Sequence, residues 1–167
     1  MTRTRVATEE DAEAIARIYN EGISDRVATF ETELRTPEDI ARGLRERAPR
    51  WPTIVVERDA GVVAWAGASE YRARPCYAGI AEFSVYVGRE ARGTGAGRAA
   101  MEALVRECED RGIWKLVSRV FPENEASRRL LATVGFREVG TYRRHAKLDG
   151  AWRDTVIVER LIGAAAR

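Results

Sequence analysis

Three groups of side chains in this sequence have the types and spacing to do chemistry. The first is Glu82, in the run Glu82-Phe83-Ser84-Val85-Tyr86-Val87, whose β-branched and aromatic content reads as a strand. Alternation then puts Glu82, Ser84 and Tyr86 on one face and Phe83, Val85 and Val87 on the other. A carboxylate among apolar neighbours binds its proton more tightly, which would suit Glu82 to accept a proton near neutral pH, directly or through water; the other reading is an edge salt bridge. The second group follows at once, Arg92-Gly93-Thr94-Gly95-Ala96-Gly97-Arg98, a glycine turn opening into a helix. Glycines let a ligand approach the backbone, and the unpaired N–H groups and positive dipole end of the helix favour an anion such as a pyrophosphate. The third is Arg72 and Arg74, just ahead of the strand. A planar guanidinium can hold a carboxylate or phosphinate through paired hydrogen bonds, or can simply be solvated surface. Phe30, Tyr77 and Tyr86 could line a side-chain pocket or pack in the core.

The elements that must position these groups alternate between helix and strand. Thr4 to Ala7 reads as a short strand, and Thr8-Glu9-Glu10-Asp11 has capping-box spacing ahead of a helix with Ala12, Ile15, Ala16 and Tyr19 on one face. Thr36-Pro37-Glu38-Asp39 opens a second helix carrying Ile40 and Leu44, with a loop around Phe30 between the two. Ile54 to Glu57 and Val62 to Ala68 form a hairpin across Asp59-Ala60-Gly61, and a third strand spans Ile80 to Val87. A helix then carries Gly97, Met101, Leu104, Val105 and Cys108 on one face, followed by a strand from Trp114 to Val120. Another helix begins after Asn124 and stops at Gly135, and β runs near Phe136 to Tyr142 and Thr155 to Ile162 close the chain. For Asn124 and Ser127, capping of that helix is one expectation.

Composition narrows the classes of partner. The chain of 167 residues carries a formal net charge of +2 from 28 basic and 26 acidic residues scattered along it, so it shows no footprint for nucleic acid or an anionic membrane. Only Lys115 and Lys147 are lysines, so no single arginine carries much weight. Cys76 and Cys108 make no disulfide scaffold, the lone His145 builds no metal cluster with them, and Cys108 continues an apolar stripe. No segment approaches the ~20 apolar residues of a membrane span, and a cytoplasmic protein of one domain, residues 1–167, is expected.

The glycine turn lacks the spacing of a dinucleotide fingerprint and the Gly-Lys-Ser/Thr ending of a P-loop. It resembles the Arg/Gln-x-x-Gly-x-Gly/Ala pyrophosphate loop of the GNAT acetyltransferases, here Arg92, Gly95 and Gly97. The resemblance covers nearly the whole chain and narrows to the phosphinothricin and arsinothricin N-acetyltransferase branch. It is carried by Ala7-Thr8-Glu9-Glu10-Asp11, Thr29-Phe30-Glu31-Thr32, Tyr71-Arg72-Ala73-Arg74, Glu82 to Val87, Asn124-Glu125-Ala126-Ser127 and Gly150-Ala151-Trp152-Arg153-Asp154.

That resemblance implies a mixed α/β (α+β) GNAT fold, a twisted, mostly antiparallel sheet with splayed central strands and about four helices. It implies acetyl-CoA as co-substrate without a metal, with the backbone around Val85, Tyr86 and Val87 on the pantetheine amides, the 92 to 98 loop on the pyrophosphate, and Asn124 with Ser127 at its far side. It implies Glu82 as base, a backbone N–H near Val85 for the developing oxyanion, and Arg72 and Arg74 on the substrate. The activity implied is acetylation of the α-amino group of a small amino-acid analogue of the phosphinothricin, arsinothricin or methionine sulfoximine type. The alternatives are acetylation of a protein N-terminus and an idle acyl-CoA sensor. The chain departs from the wider GNAT pattern once and from the branch once. Leu130 and Leu131 stand where many relatives have a tyrosine acid, and Asp149 stands where phosphinothricin enzymes have a histidine; it could orient the substrate ammonium or hold a turn with Gly150. A homodimer is common in the branch, and Val156 to Ile162 could support one or could be an internal strand.

Overall fold

The computed structural model describes residues 1–167. Seven strands form one sheet in the order β1-β2-β3-β4-β5-β7-β6, with β1 Arg3–Val6, β2 Thr53–Arg58, β3 Gly61–Glu70, β4 Ile80–Val87, β5 Lys115–Val120, β6 Arg137–Leu148 and β7 Ala151–Leu161. Four α-helices flank it: α1 Ala12–Asp25, α2 Pro37–Arg47, α3 Ala96–Asp110 and α4 Glu125–Thr133. Every neighbouring pair is antiparallel except β4 with β5.

Alternation along the strands divides the core in two. Ile54, Val56, Ala64, Ala66 and Phe83 face Met101, Leu104 and Cys108 of α3, while Val55 and Trp65 face Ile15 and Ile18 of α1 and Leu44 of α2. Removing a side chain such as Leu104 from water stabilises the fold by about 2 kcal/mol. Burial also pushes the Cys108 thiol up to about 12, in keeping with its place in the apolar stripe.

The helix starts follow local chemistry. Thr36 Oγ1 accepts from the Asp39 N–H and Asp39 returns the bond to the Thr36 N–H, each at 3.1 Å. Asp11 accepts from the Thr8 N–H at 2.8 Å, and Arg5 grips the same carboxylate at 2.7 and 2.8 Å, tying β1 to the helix entry.

The parallel pair sets the site. β4 and β5 are in register only at Ile80, Ala81 and Glu82, opposite Lys115, Leu116 and Val117, whereas β3 accompanies β4 to Val87 and β7 accompanies β5 to Val120. Beyond Glu82 the two strands diverge, as a splayed sheet requires.

At the C-terminal end of the chain one expectation is corrected and one alternative is decided. β6 runs on past Tyr142 and β7 begins before Thr155, the two meeting at an Asp149-Gly150 turn with both residues at positive φ, 49° and 81°. This is the backbone of a two-residue hairpin turn, which Asp-Gly favours. The sequence gives no sign of the extension because β6 is exposed along almost its entire length and so carries no hydrophobic alternation. Val156 to Ile162 offers no edge: β7 lies between β5 and β6, and the edge strand is β6.

Candidate active site

Two cavities meet at the point where β4 and β5 part. A cleft of about 520 Å³ opens on the face that carries Glu82, Ser84 and Tyr86, with Phe30, Arg72, Ser118 and Arg119 among its walls. A groove of about 470 Å³ lies on the other side, between β4, the α3 start and α4. A narrower space of about 60 Å³, bounded by Ser84, Val85, Ser118 and Ser127, joins them through the gap in the sheet.

The groove is built from the segments the sequence singled out. Val85, Val87, Arg92, Gly93, Gly95, Gly97, Arg98, Asn124 and Ser127 line it, with Tyr86 shared with the cleft. Val87 O accepts from Arg92 Nε at 3.3 Å and Phe83 O accepts from Ser118 Oγ at 2.8 Å, so the odd-numbered carbonyls of β4 point to the side that β5 has left. Val85 lies between them and presents its N–H and C=O the same way, with no strand opposite. A ladder edge open at one residue can bond the amides of an extended ligand.

Gly93 and Gly95 take φ of 73° and 86°, and a Cβ added at either would meet nothing within 4 Å, so backbone conformation rather than crowding selects glycine there. At Gly97 the reason is close approach, since a Cβ would stand 2.9 Å from Leu130 Cδ2 and 3.2 Å from Val87 Cγ2. The orphan N–H groups of the α3 start face this end of the groove, giving it anion character. Two side chains of the loop point elsewhere. Thr94 Oγ1 accepts from Arg58 at 2.6 Å and donates to Ala91 O at 2.5 Å, and Ala96 is buried against the core. Only their backbone can serve the groove. Arg92 is ion-paired with Asp25 at 2.8 Å, and Arg98 bonds Glu102 at 2.7 Å. Asn124 caps α4 through the Ser127 N–H at 3.2 Å and both line the groove, so capping and ligand contact are compatible.

In the cleft, Glu82 is not wrapped in apolar side chains as expected. Its carboxylate is 38% exposed and lies 3.9 Å from Arg119 Nη1, because the parallel strand β5 brings polar residues alongside. Tyr86 stacks on Trp65 at 5.2 Å and meets Tyr19 edge-on at 4.9 Å, and burial raises its phenol pKa. Phe30 packs edge-on against Phe121 at 4.9 Å. Arg72 lies over the Tyr71 ring at 5.1 Å and reaches the cleft.

Three of the named residues are not brought to the cleft. Arg74 is exposed and absent from its walls, Tyr77 packs edge-on to Tyr71 at 5.7 Å, and Asp149 pairs with Arg26 at 3.1 Å while holding the hairpin turn. Conversely the cleft uses Ser118 and Arg119 of β5 and Tyr142 and His145 of β6, whose rings stack at 4.7 Å. Nothing local distinguishes these from surface residues, and only the pairing of β4 with β5 and of β7 with β6 would have pointed to them. Leu130 lines the groove and Leu131 is buried, so that stretch of α4 supplies no acid.

The profile of the family described as Acetyltransferase (GNAT) domain matches residues 3–137. A phosphinothricin N-acetyltransferase of Streptomyces coelicolor is 33% identical over 162 residues, 95% of each chain. Among solved structures, a GNAT superfamily phosphinothricin acetyltransferase of Sinorhizobium meliloti in complex with AcCoA superposes with a TM-score of 0.90 at 29% identity, covering 97% of this chain and 89% of that one. A ribosomal-protein-alanine N-acetyltransferase of Brucella melitensis superposes with a TM-score of 0.91 at 30% identity, covering 96% and 99%.

Proposed function

Since the chain belongs to the GNAT acetyltransferase family and is an acetyl-CoA-dependent N-acetyltransferase of amino-acid analogues, we propose that its acceptor is a small analogue of the phosphinothricin, arsinothricin or methionine sulfoximine type. The observation that carries this reading is the meeting of cleft and groove at the β4–β5 gap, with Glu82 on the cleft side and the free edge of Val85 on the other.

The residues fit acetyl-CoA: the open backbone at Val85, with Val87 lining the groove beside it, suits the pantetheine amides, and the α3 start suits the pyrophosphate. Bound in the groove, acetyl-CoA supplies an activated acetyl thioester. Glu82 accepts the proton of the acceptor ammonium, directly or through a water, so that the neutral amine presents its lone pair through the gap. The Val85 N–H donates a hydrogen bond to the carbonyl oxygen as charge develops on it. Arg72 holds an acid group of the acceptor, and Phe30 and Tyr86 close the apolar side of the cleft. Arg119 Nη1, 3.9 Å from Glu82 Oε1, orients that carboxylate in the cleft wall. The whole chain works as one domain, and a second copy pairs along β6, where Val139 and Tyr142 are exposed.

A second reading has a specific likeness behind it, the Brucella melitensis structure described by its action on a ribosomal protein. Thiol release from acetyl-CoA with phosphinothricin, arsinothricin, methionine sulfoximine, ordinary amino acids and N-terminal peptides separates the two. Turnover confined to the analogues is expected. Turnover on peptides alone would replace this reading with the second.

A further inference from the structure

Beside the cleft, on the same face of the sheet, a separate cavity of about 290 Å³ lies beneath α2, and its walls carry buried donors that no acceptor meets. Arg47, at the end of α2, folds its guanidinium back over Gly43, with Nη1 2.9 Å from the position a Cβ would take there. This half-buried guanidinium makes no hydrogen bond or ion pair, and burial lowers its pKa with only Glu46 of its own helix opposing. Arg35 Nε and Trp65 Nε1 are buried donors without a partner, and Trp65 is only 9% exposed. Both residues line the same cavity.

The nearby carboxylates do not answer these donors. Asp39 lines the cavity but is engaged by the Thr36 N–H at 3.1 Å and by Arg42 at 2.8 Å. Glu31 pairs with Arg35 at 2.9 Å through Nη2, which leaves Nε free. The remaining polar wall is made of hydroxyls from Tyr19, Thr53, Ser69 and Ser84. Three donors without acceptors, one of them carrying an uncompensated charge, make a space that an oxyanion would complete.

The place of the cavity relates it to the chemistry. Thr53, Gly67 and Ser84 are successive partners across β2, β3 and β4, and Ser69 is the partner of Glu82. Ser84 lines both this cavity and the cleft. From Ser84 to Thr53 is two strand spacings, about 10 Å. Gly67 keeps the floor open, because a Cβ there would lie 3.2 Å from both Thr53 Oγ1 and the Trp65 ring.

We propose that this cavity is an oxyanion-binding subsite centred on Arg47 and that it takes the side-chain acid of the acceptor whose amino group lies at Glu82. The second half of the proposal rests on the acetyl-transfer reading above; the first does not. An acceptor with two acid groups is then held at both, one by Arg72 and one by Arg47.

Titration with glutarate and with inorganic phosphate, followed by the indole N–H resonance of Trp65, reads the site without turnover. That resonance is one of four tryptophan signals and is assigned with Trp65→Phe. Glutarate is expected to shift it, with affinity about tenfold weaker in Arg47→Gln and largely kept in Arg47→Lys. In steady-state kinetics Arg47→Gln is expected to raise KM about tenfold for an acceptor with an acidic side chain and to leave methionine unchanged. No shift with either anion, or a shift that survives in Arg47→Gln, overturns the subsite. Anion binding with no difference in KM between the two acceptors keeps the subsite and overturns its assignment to the acceptor, leaving a free anion as its ligand. Anion binding in a protein that acetylates no amino acid overturns the acceptor reading alone.

Discussion

Replacing Glu82 by glutamine keeps the shape of the side chain and removes its ability to accept a proton. With the carboxylate in the cleft wall and the groove on the far side of the gap, kcat/KM is expected to fall about 10²- to 10⁴-fold in Glu82→Gln while acetyl-CoA affinity, measured by calorimetry, stays within about twofold. Unchanged turnover would remove Glu82 as the base. At this scale the chain was partly legible. The strand pattern told which face Glu82 shares with Ser84 and Tyr86, because alternation is a property of the backbone. It could not tell that Arg119 would stand 3.9 Å away, since that contact spans two strands whose pairing no local signal encodes. The same holds for Arg72 and Arg74, two residues apart in sequence, of which only the first reaches the cleft wall.

Edge strands expose unpaired N–H and C=O groups and invite pairing with another chain. β6 is such an edge, 12 residues long, and Val139 and Tyr142 are exposed on it. Sedimentation is expected to give twice the chain mass of 18.7 kDa, and Val139→Glu with Tyr142→Glu is expected to shift the protein to monomer. A wild-type monomer at all concentrations would reject the pairing. The helices were easier to read from sequence than this hairpin. α2 declares itself by Thr36, Pro37 and Asp39, and α3 by its apolar stripe and the glycines before it. β6 has neither signal, and its length depends on the ladder with β7 and on the turn at Asp149-Gly150.

Across the whole molecule, carboxylates held by arginines link distant parts of the chain. Arg5 joins Asp11 to Glu57, Arg89 and Arg92 hold Asp25 at the end of α1, and Arg128 grips Glu138, and each of these four acids has its pKa lowered by its arginine partner. A carboxylate whose pKa is depressed on folding adds stability that is fully present above its unfolded value, 3.8 for Asp11, and is lost as pH falls toward the folded value. Melting temperature is therefore expected to be flat through neutral pH and to fall below about pH 4. Asp11→Asn should cost about 2 kcal/mol near pH 7 and flatten the acid limb; an acid limb of unchanged slope would remove Asp11 from this account. What the sequence determined by itself is local: helix starts, strand faces, the glycine turn with its anion character, and the family pattern those features compose. Each depends on φ/ψ preference, periodicity or backbone donors within a few residues. Only the tertiary structure decided where β4 and β5 part, which polar residues line the cleft, which arginine reaches it, and that Arg47 and Trp65 would bring unpartnered donors to one cavity. Those depend on contacts between segments far apart in the chain, and neither propensity nor spacing carries them.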